Sequence, residues 1–214
     1  MDLSKVLVGI CLPIFDRQTS WKFTISFRVM DILCPNTFAW PQGPGPMDKI
    51  RNTLAKNVLR ASATHVFFMD TDQVYPRDTL MRLLAHDLPV VGAKVHRRFN
   101  PYEPIMYRGE CPHYKRVPSD EWSKGGLIEV DATGTGCLLI RSDVFEAIPE
   151  PWFEHRRRED DLGDVGEDID FCTKVRSAGI PIYVDADVKL GHIGEFVITE
   201  ESFWNYKFDQ EINI

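Results

Sequence analysis

The apolar run His65-Val66-Phe67-Phe68-Met69 stops abruptly at Asp70-Thr71-Asp72, and that junction offers the most chemistry in the sequence. Five apolar-facing residues without interruption read as a buried strand. The two aspartates then fall just outside its carboxyl end, where open α/β sheets bind ligands. Residues i and i+2 of an extended segment point to one side, so both carboxylates can approach a single cation. Two carboxylates with open positions suit Mg²⁺ or Mn²⁺, hard ions that share their coordination with phosphate oxygens. Unpaired, two such close charges would repel, and one would tend to take up a proton. The competing reading is that Asp70 and Asp72 simply open a polar turn ahead of Pro76.

Four other places could contribute. Gly166-Glu167-Asp168-Ile169-Asp170 marks a helix start, where the dipole favours each carboxylate by ~0.3–1 kcal/mol without any function. The functional alternative is that Asp168 or Glu167 takes a proton from an incoming hydroxyl. In Leu190-Gly191-His192-Ile193-Gly194 a histidine flanked by glycines follows a strand; it is either a packed side chain or a metal ligand. Thr133-Gly134-Thr135-Gly136 gives the backbone room to approach a sugar or acceptor, or is a plain turn. Arg51-Asn52 lies early in a helix that precedes the aspartate strand, so Arg51 is either a surface residue or a bidentate partner for a diphosphate.

The elements that must position these residues follow from periodicity. Val6 to Ile14 reads as a first buried strand and Arg17 to Leu33 as a helix with Phe23, Phe27 and Met30 on one face. Pro35 to Pro46 reads as a loop, and Ile50, Leu54 and Val58 as the inner face of a helix ending near Arg60. Pro76 fits the first turn of the next helix, with Leu80, Leu83 and Leu84 inward. Leu88 to Ala93 is a strand, and Lys94 to Gly126 has the length of a functional loop. Strands at Leu127 to Ala132 and Cys137 to Ile140 flank the glycine turn. A short helix capped by Ser142 or Asp143 runs to Ala147. A charged loop runs from Pro151 to Gly166, a helix from Asp168 to Ala178, and a last strand from Pro181 to Val184. Strands alternating with helices predict an α/β fold, a mostly parallel central sheet with helices on both faces.

At 214 residues the chain suits one such domain. Its net charge of -7 argues against a coat for nonspecific nucleic-acid binding. Lys94, Arg97, Arg98, Arg108, Lys115, Arg116 and Lys124 nevertheless make the central loop basic, either facing an anionic ligand or as a solvated loop. The cysteines number five, form no CxxC pair, and read as free thiols of a reducing compartment. The first apolar run is too short to span a bilayer. A cytoplasmic protein without membrane insertion is expected.

Taken in order, Arg51-Asn52, Thr64 to Asp72, Val90-Val91-Gly92-Ala93, Gly134 to Arg141, Gly166 to Cys172 and Gly191-His192 resemble the GT-A glycosyltransferases, in particular the family-two-like enzymes of bacteria and their viruses. The resemblance covers Val6 to Gly194. It implies a single GT-A (Rossmann-like) domain over 1–214, with a nucleotide-sugar half to about residue 93 and an acceptor and catalytic half from about 94. It implies that Asp70 and Asp72 hold Mn²⁺ or Mg²⁺ against the donor diphosphate, Asp72 the more direct ligand, with His192 added to the metal. Pro13, Ile14 and Asp16 would lie near the nucleobase and ribose, and Arg51, Asp70 and Thr71 near the rest of the donor. Asp168 matches the general base of the inverting members, with Glu167 beside it. The first strand departs from the family, with Leu12-Pro13-Ile14-Phe15 where many relatives have a Pro-Thr-Tyr-like run.

The expected reaction is sugar transfer from a nucleotide sugar, UDP by family default, to an acceptor hydroxyl on a saccharide or a hydroxymethylated DNA base; a lipid carrier or a protein is equally open. A sugar nucleotidylyltransferase is the rival enzyme, but it wants a Gly-rich basic stretch after the first strand, which Cys11 to Thr19 does not supply. A haloacid-dehalogenase-type phosphatase wants a small hydroxyl residue where Val74 stands. A non-catalytic nucleotide- or carbohydrate-binding module is the rival of another class.

Overall fold

A computed structural model describes residues 2–14, 18–41, 43–157, 163–194 and 200. In chain order the strands are β1 (Val8–Cys11), β2 (Asn36–Ala39), β3 (His65–Met69), β4 (Gln73–Val74), β5 (Val90–Lys94), β6 (Met106–Arg108), β7 (Lys115–Arg116), β8 (Leu127–Val130), β9 (Ala132–Thr133), β10 (Cys137–Arg141), β11 (Ile182–Lys189) and β12 (Gly191–His192). The α-helices are α1 (Trp21–Arg28), α2 (Met47–Arg60), α3 (Thr79–Ala85), α4 (Ser119–Trp122), α5 (Ser142–Ala147) and α6 (Glu167–Ser177).

Seven strands form the central sheet in the order β2-β1-β3-β10-β5-β11-β8. β2, β1, β3, β5 and β11 run one way; β10, between β3 and β5, and β8, at the edge, run the other. Every residue of β3 is buried, and its side chains alternate between two cores. Val66 and Phe68 join Ile50, Leu54 and Val58 of α2, Phe145 of α5 and Phe171 and Val175 of α6. Phe67 and Met69 join Phe23 of α1 and Leu80, Leu83 and Leu84 of α3. Helices thus cover both faces of a mostly parallel sheet, as the alternation of elements predicts.

Local chemistry explains the helices next to the site. Ile50, Leu54 and Val58 give α2 an apolar stripe, and it lies so close to β1 that a Cβ on Gly9 would come within 2.3 Å of Val58 Cβ. α6 opens with Glu167, Asp168 and Asp170 and closes with Lys174 and Arg176, complementing its dipole at both ends. Gly179, at φ +75°, then takes the left-handed conformation that ends it.

Several expectations need correction. The Pro35 to Pro46 segment contains β2, an edge strand whose single buried residue, Ala39, gives almost no apolar signal. Helix α1 starts at Trp21, with the Ser20 hydroxyl accepting from Lys22 N–H at 3.2 Å. Pro76 precedes α3 by a turn, because Thr79 N–H already reaches the Pro76 carbonyl at 3.2 Å. Neither Ser142 nor Asp143 caps α5, and Asp143 pairs with Arg141 instead. The Lys94 to Gly126 region holds β6, β7 and α4, and β6 joins β7 and β9 in a small antiparallel sheet. The last strand of the central sheet, β11, extends to Lys189. All five cysteines are free, and four are buried. Among the described residues no helix is long and apolar enough to cross a membrane.

Candidate active site

The site lies beyond the carboxyl end of β3. Asp70 N–H bonds the Gly136 carbonyl at 2.8 Å, so the aspartate pair and the glycine turn before β10 are joined directly. The buried Tyr75 hydroxyl spans the carbonyls of Asp70 (2.9 Å) and Gly136 (2.7 Å). A Cβ on Gly136 would fall 2.1 Å from Gln73 Nε2 and 2.9 Å from Asp70 Oδ2, so a side chain there would displace the Gln73 amide and the Asp70 carboxylate.

The two aspartates have different surroundings. Asp70 faces Arg51, whose Nη2 donates to Oδ1 at 3.0 Å and to Oδ2 at 3.2 Å. The same guanidinium donates from Nε to Glu167 Oε1 at 3.2 Å and lies over the Phe68 ring. Arg51 is 4% exposed, so this is a buried bridge between the end of β3 and the start of α6. Burial disfavours the charge on Arg51, but Asp70 and Glu167 outweigh it and raise its pKa. For Asp70, burial dominates over the help from Arg51 and pushes the carboxyl up, with the Asp72 charge adding to the rise.

Asp72 is open to the solvent cleft, with its side chain 39% exposed. Arg98 Nη1 lies 3.0 Å from Oδ2 and His192 Nε2 lies 3.4 Å from the same oxygen. Burial would raise the Asp72 pKa, yet the hydrogen bond and charge of His192 and the charge of Arg98 bring it below the ordinary value. Burial likewise works against a charged His192, and the Asp72 hydrogen bond and the His96 carbonyl overcome it and raise its pKa.

Backbone pairing brings His192 here. Strand β12 returns antiparallel to β4, with His192 opposite Gln73, and Ile193 N–H bonds the Asp72 carbonyl at 2.7 Å. His192 Nδ1 lies 2.7 Å from the His96 carbonyl; a carbonyl only accepts, so Nδ1 carries the proton. With Nδ1 protonated, Nε2 of a charged His192 donates to Asp72, and release of that Nε2 proton frees a lone pair on the Asp72 side, the orientation a metal-binding imidazole needs.

Asp168, half-buried at the first turn of α6, has its carboxyl pushed up to about 6, first by burial and then by the charge of Glu167. Its Oδ1 accepts from Ile169 N–H at 2.8 Å, and Oδ2 is 3.8 Å from where a Gly134 Cβ would stand.

A cleft of about 850 Å³ runs over this ground, lined by Pro13, Asp70, Thr71, Asp72, Arg98 and Phe99 among others. Of the residues expected at the donor, Pro13, Asp70 and Thr71 line the cleft and Arg51 lies behind it. Ile14 does not line it, and Asp16 falls outside the described residues. Of the residues expected at the metal, the structure brings Asp72 and His192 together and engages Asp70 with Arg51. Among the described residues no three His, Cys, Asp or Glu side chains gather at one point. A two-residue set still fits a divalent cation whose remaining positions are filled by phosphate oxygens and water. The guanidinium on Asp72 shows that this carboxylate already attracts a cation.

Against known proteins, the sequence matches no family model and no curated relative. Solved structures are similar in fold. A197 from STIV aligns at TM-score 0.55 and 14% identity, covering 91% of this chain and 97% of its own. GalNAc-T7, in a crystal structure with UDP, GalNAc and Mn²⁺, aligns at TM-score 0.58 and 12% identity over 94% of this chain. TarS of S. aureus aligns at TM-score 0.54 and 15% identity, also over 94%. The fold is GT-A-like.

The chain spans 47% of the GalNAc-T7 chain and 38% of the TarS chain. Within this GT-A-like frame, sequence reasoning missed three contributors. Tyr75 carries no catalytic signature, and Gln73 stands beside the motif without belonging to it. Arg98 stood out only as part of a basic loop. Asn52, noted beside Arg51, has a structural role: Nδ2 donates to the Phe153 carbonyl at 2.7 Å and Oδ1 accepts from Trp152 N–H at 2.9 Å. It fastens the segment leading to α6 against α2.

Proposed function

We propose that the chain is a metal-dependent glycosyltransferase that moves a sugar from a nucleotide-sugar donor, a UDP-sugar in the first instance, to an acceptor hydroxyl. The observation that carries this reading is two unlike acid groups on segments that meet at the end of β3, with Asp72 on the cleft and Asp168 beside the glycine turn that Asp70 touches through Gly136. One side is open and cation-seeking (Asp72 with His192), and the other is a half-buried carboxyl whose pKa of about 6 suits a base near neutral pH (Asp168). That the fold is shared with a GalNAc-T7 structure holding UDP, GalNAc and Mn²⁺ supports the choice of donor class.

Asp72 and His192 would hold Mn²⁺ or Mg²⁺, which when bound supplies Lewis-acid stabilisation of a departing diphosphate. Pro13 and Thr71, in the cleft wall, contact the nucleotide end of the donor. Asp168 accepts the proton of the acceptor hydroxyl as its oxygen bonds to the anomeric carbon. The bond from that carbon to the diphosphate oxygen breaks, and its electron pair leaves with the diphosphate. Attack from the side opposite the leaving group inverts the anomeric centre. Pro13, Thr71 and Asp72, from the part of the chain up to about residue 93, serve the donor together with His192 from the later part, which also supplies Asp168 for the acceptor.

Incubation with a panel of common nucleotide sugars plus Mn²⁺, read as released nucleotide, tests the reading, with glycan, lipid and hydroxymethylated-DNA acceptors in parallel. Release that requires Mn²⁺ and is lost in Asp72→Ala is expected. Release that survives in Asp72→Ala counts against it, and an NMR product spectrum with retained configuration removes Asp168 as the base of an inverting reaction.

A further inference from the structure

We propose that Arg98 is the side chain that grips the donor diphosphate, and that without donor it is parked on Asp72. This rests on the reading of the cleft as a metal-dependent donor site. The sequence pointed to Arg51 for this contact, but Arg51 is 4% exposed and its Nη2 and Nε are committed to Asp70 and Glu167. Among the described residues that line the cleft, Arg98 is the one basic side chain. It is 43% exposed, so it can reorient at little cost, unlike Arg51.

The backbone fixes where Arg98 can reach. It lies in a hairpin laddered by Arg97 N–H to the Glu103 carbonyl (3.0 Å) and Ile105 N–H to the Val95 carbonyl (2.9 Å). The His96 carbonyl of that hairpin holds His192 Nδ1, so the arginine is two residues from the anchor of the proposed metal ligand. The neighbouring Phe99 is 67% exposed and also lines the cleft.

Electrostatics then predicts an exchange. The Asp72 carboxylate is neutralised by the Arg98 guanidinium at 3.0 Å. A divalent cation on the same carboxylate would repel that guanidinium. A diphosphate arriving with the cation offers oxygens that match its planar fork bidentately. Arg98 therefore competes with metal alone and cooperates with metal plus diphosphate. By linkage, metal binds weakly until the donor supplies the arginine with a new partner.

The opposite signs make the test specific. Calorimetric titration of wild type, Arg98→Ala and Arg98→Lys would use Mn²⁺ alone, then UDP at saturating Mn²⁺. Arg98→Ala should bind Mn²⁺ several-fold tighter and UDP about tenfold weaker, the loss of one charge-assisted bidentate contact. Arg98→Lys should fall between for UDP. An arginine that only supports the hairpin would weaken both ligands together, and that outcome, or no change in either, overturns the assignment. Wild-type protein that binds neither Mn²⁺ nor UDP would remove the donor-site reading itself. Wild-type protein that binds both while Arg98→Ala is unchanged would remove the Arg98 role alone.

Discussion

Asp70 and Asp72 stand two residues apart, carry the same functional group, and sit in opposite electrostatic situations. Asp70 belongs to a closed frame in which Arg51 ties the end of β3 to the start of α6 through Glu167. Asp72 belongs to an open rim, where Arg98 and His192 approach a solvent-facing oxygen. Arg51 is buried and its Nη2 and Nε are taken up by Asp70 and Glu167, so the charges of the frame hold geometry. The rim is exposed and exchangeable, so its charges are available to a ligand. A motif read as one unit in sequence thus divides into a part that builds the site and a part that uses it.

Removing the key of the frame should break this contrast most severely. Arg51→Ala leaves Asp70 and Glu167 facing each other without their shared cation, and a buried pair broken on one side costs about 3–5 kcal/mol. A denaturant melt should show that loss. A loss under 1 kcal/mol would mean the frame is not what holds β3 to α6.

Asp72→Ala should do the reverse. Nucleotide release from donor should fall by about 10³-fold, equivalent to about 4 kcal/mol of barrier, while the melting midpoint barely moves. If both aspartates gave the same mixture of stability and activity loss on substitution, the division between frame and rim would fail.

Asp168→Asn sharpens the comparison from the acceptor side. The Asp168 carboxyl is raised to about 6, above the ordinary aspartate value, by burial and by Glu167. The folded chain therefore holds a proton there that the unfolded chain has lost. Stability contributed by this group is present at low pH and is lost as pH rises through about 4 to 6. Asparagine removes the cost of the ionised form, on the order of 1–3 kcal/mol, so the variant should melt higher at pH 7.5. Its turnover should drop by about 10²-fold or more, and the rise of wild-type activity with pH near 6 should vanish. A variant that melts lower at pH 7.5 would show that the carboxylate is stabilising where it sits.

The smallest effect is expected from Tyr75→Phe. It deletes a hydroxyl shared by the carbonyls of Asp70 and Gly136, and should cost about 1 kcal/mol with a modest loss of turnover. Turnover lost without any change in stability would instead make Tyr75 a participant in the reaction.

What the sequence discloses follows the same division. The stop of β3 at Asp70, the apolar faces of α2 and α6 and the alternation of elements were all legible, because burial writes a period into side-chain polarity. Strand β2 was hidden because only Ala39 among its four residues is buried. The reversed direction of β10 was hidden because polarity does not encode direction. Arg51 read as a diphosphate ligand because its burial depends on Asp70, Phe68 and Glu167 meeting it from distant segments. His192 reached the rim through two residues of backbone pairing with β4, which no side-chain pattern announces. Arg98 and Asp72 are joined only in space.

The most direct test of the divided motif is anomalous diffraction at the manganese edge from crystals grown with Mn²⁺ and UDP. One peak is expected, bonded to an Asp72 carboxylate oxygen and to His192 Nε2, with Asp70 still on Arg51. A peak held by Asp70 in place of Asp72, or no peak at the mouth of the cleft while nucleotide is bound, would contradict it.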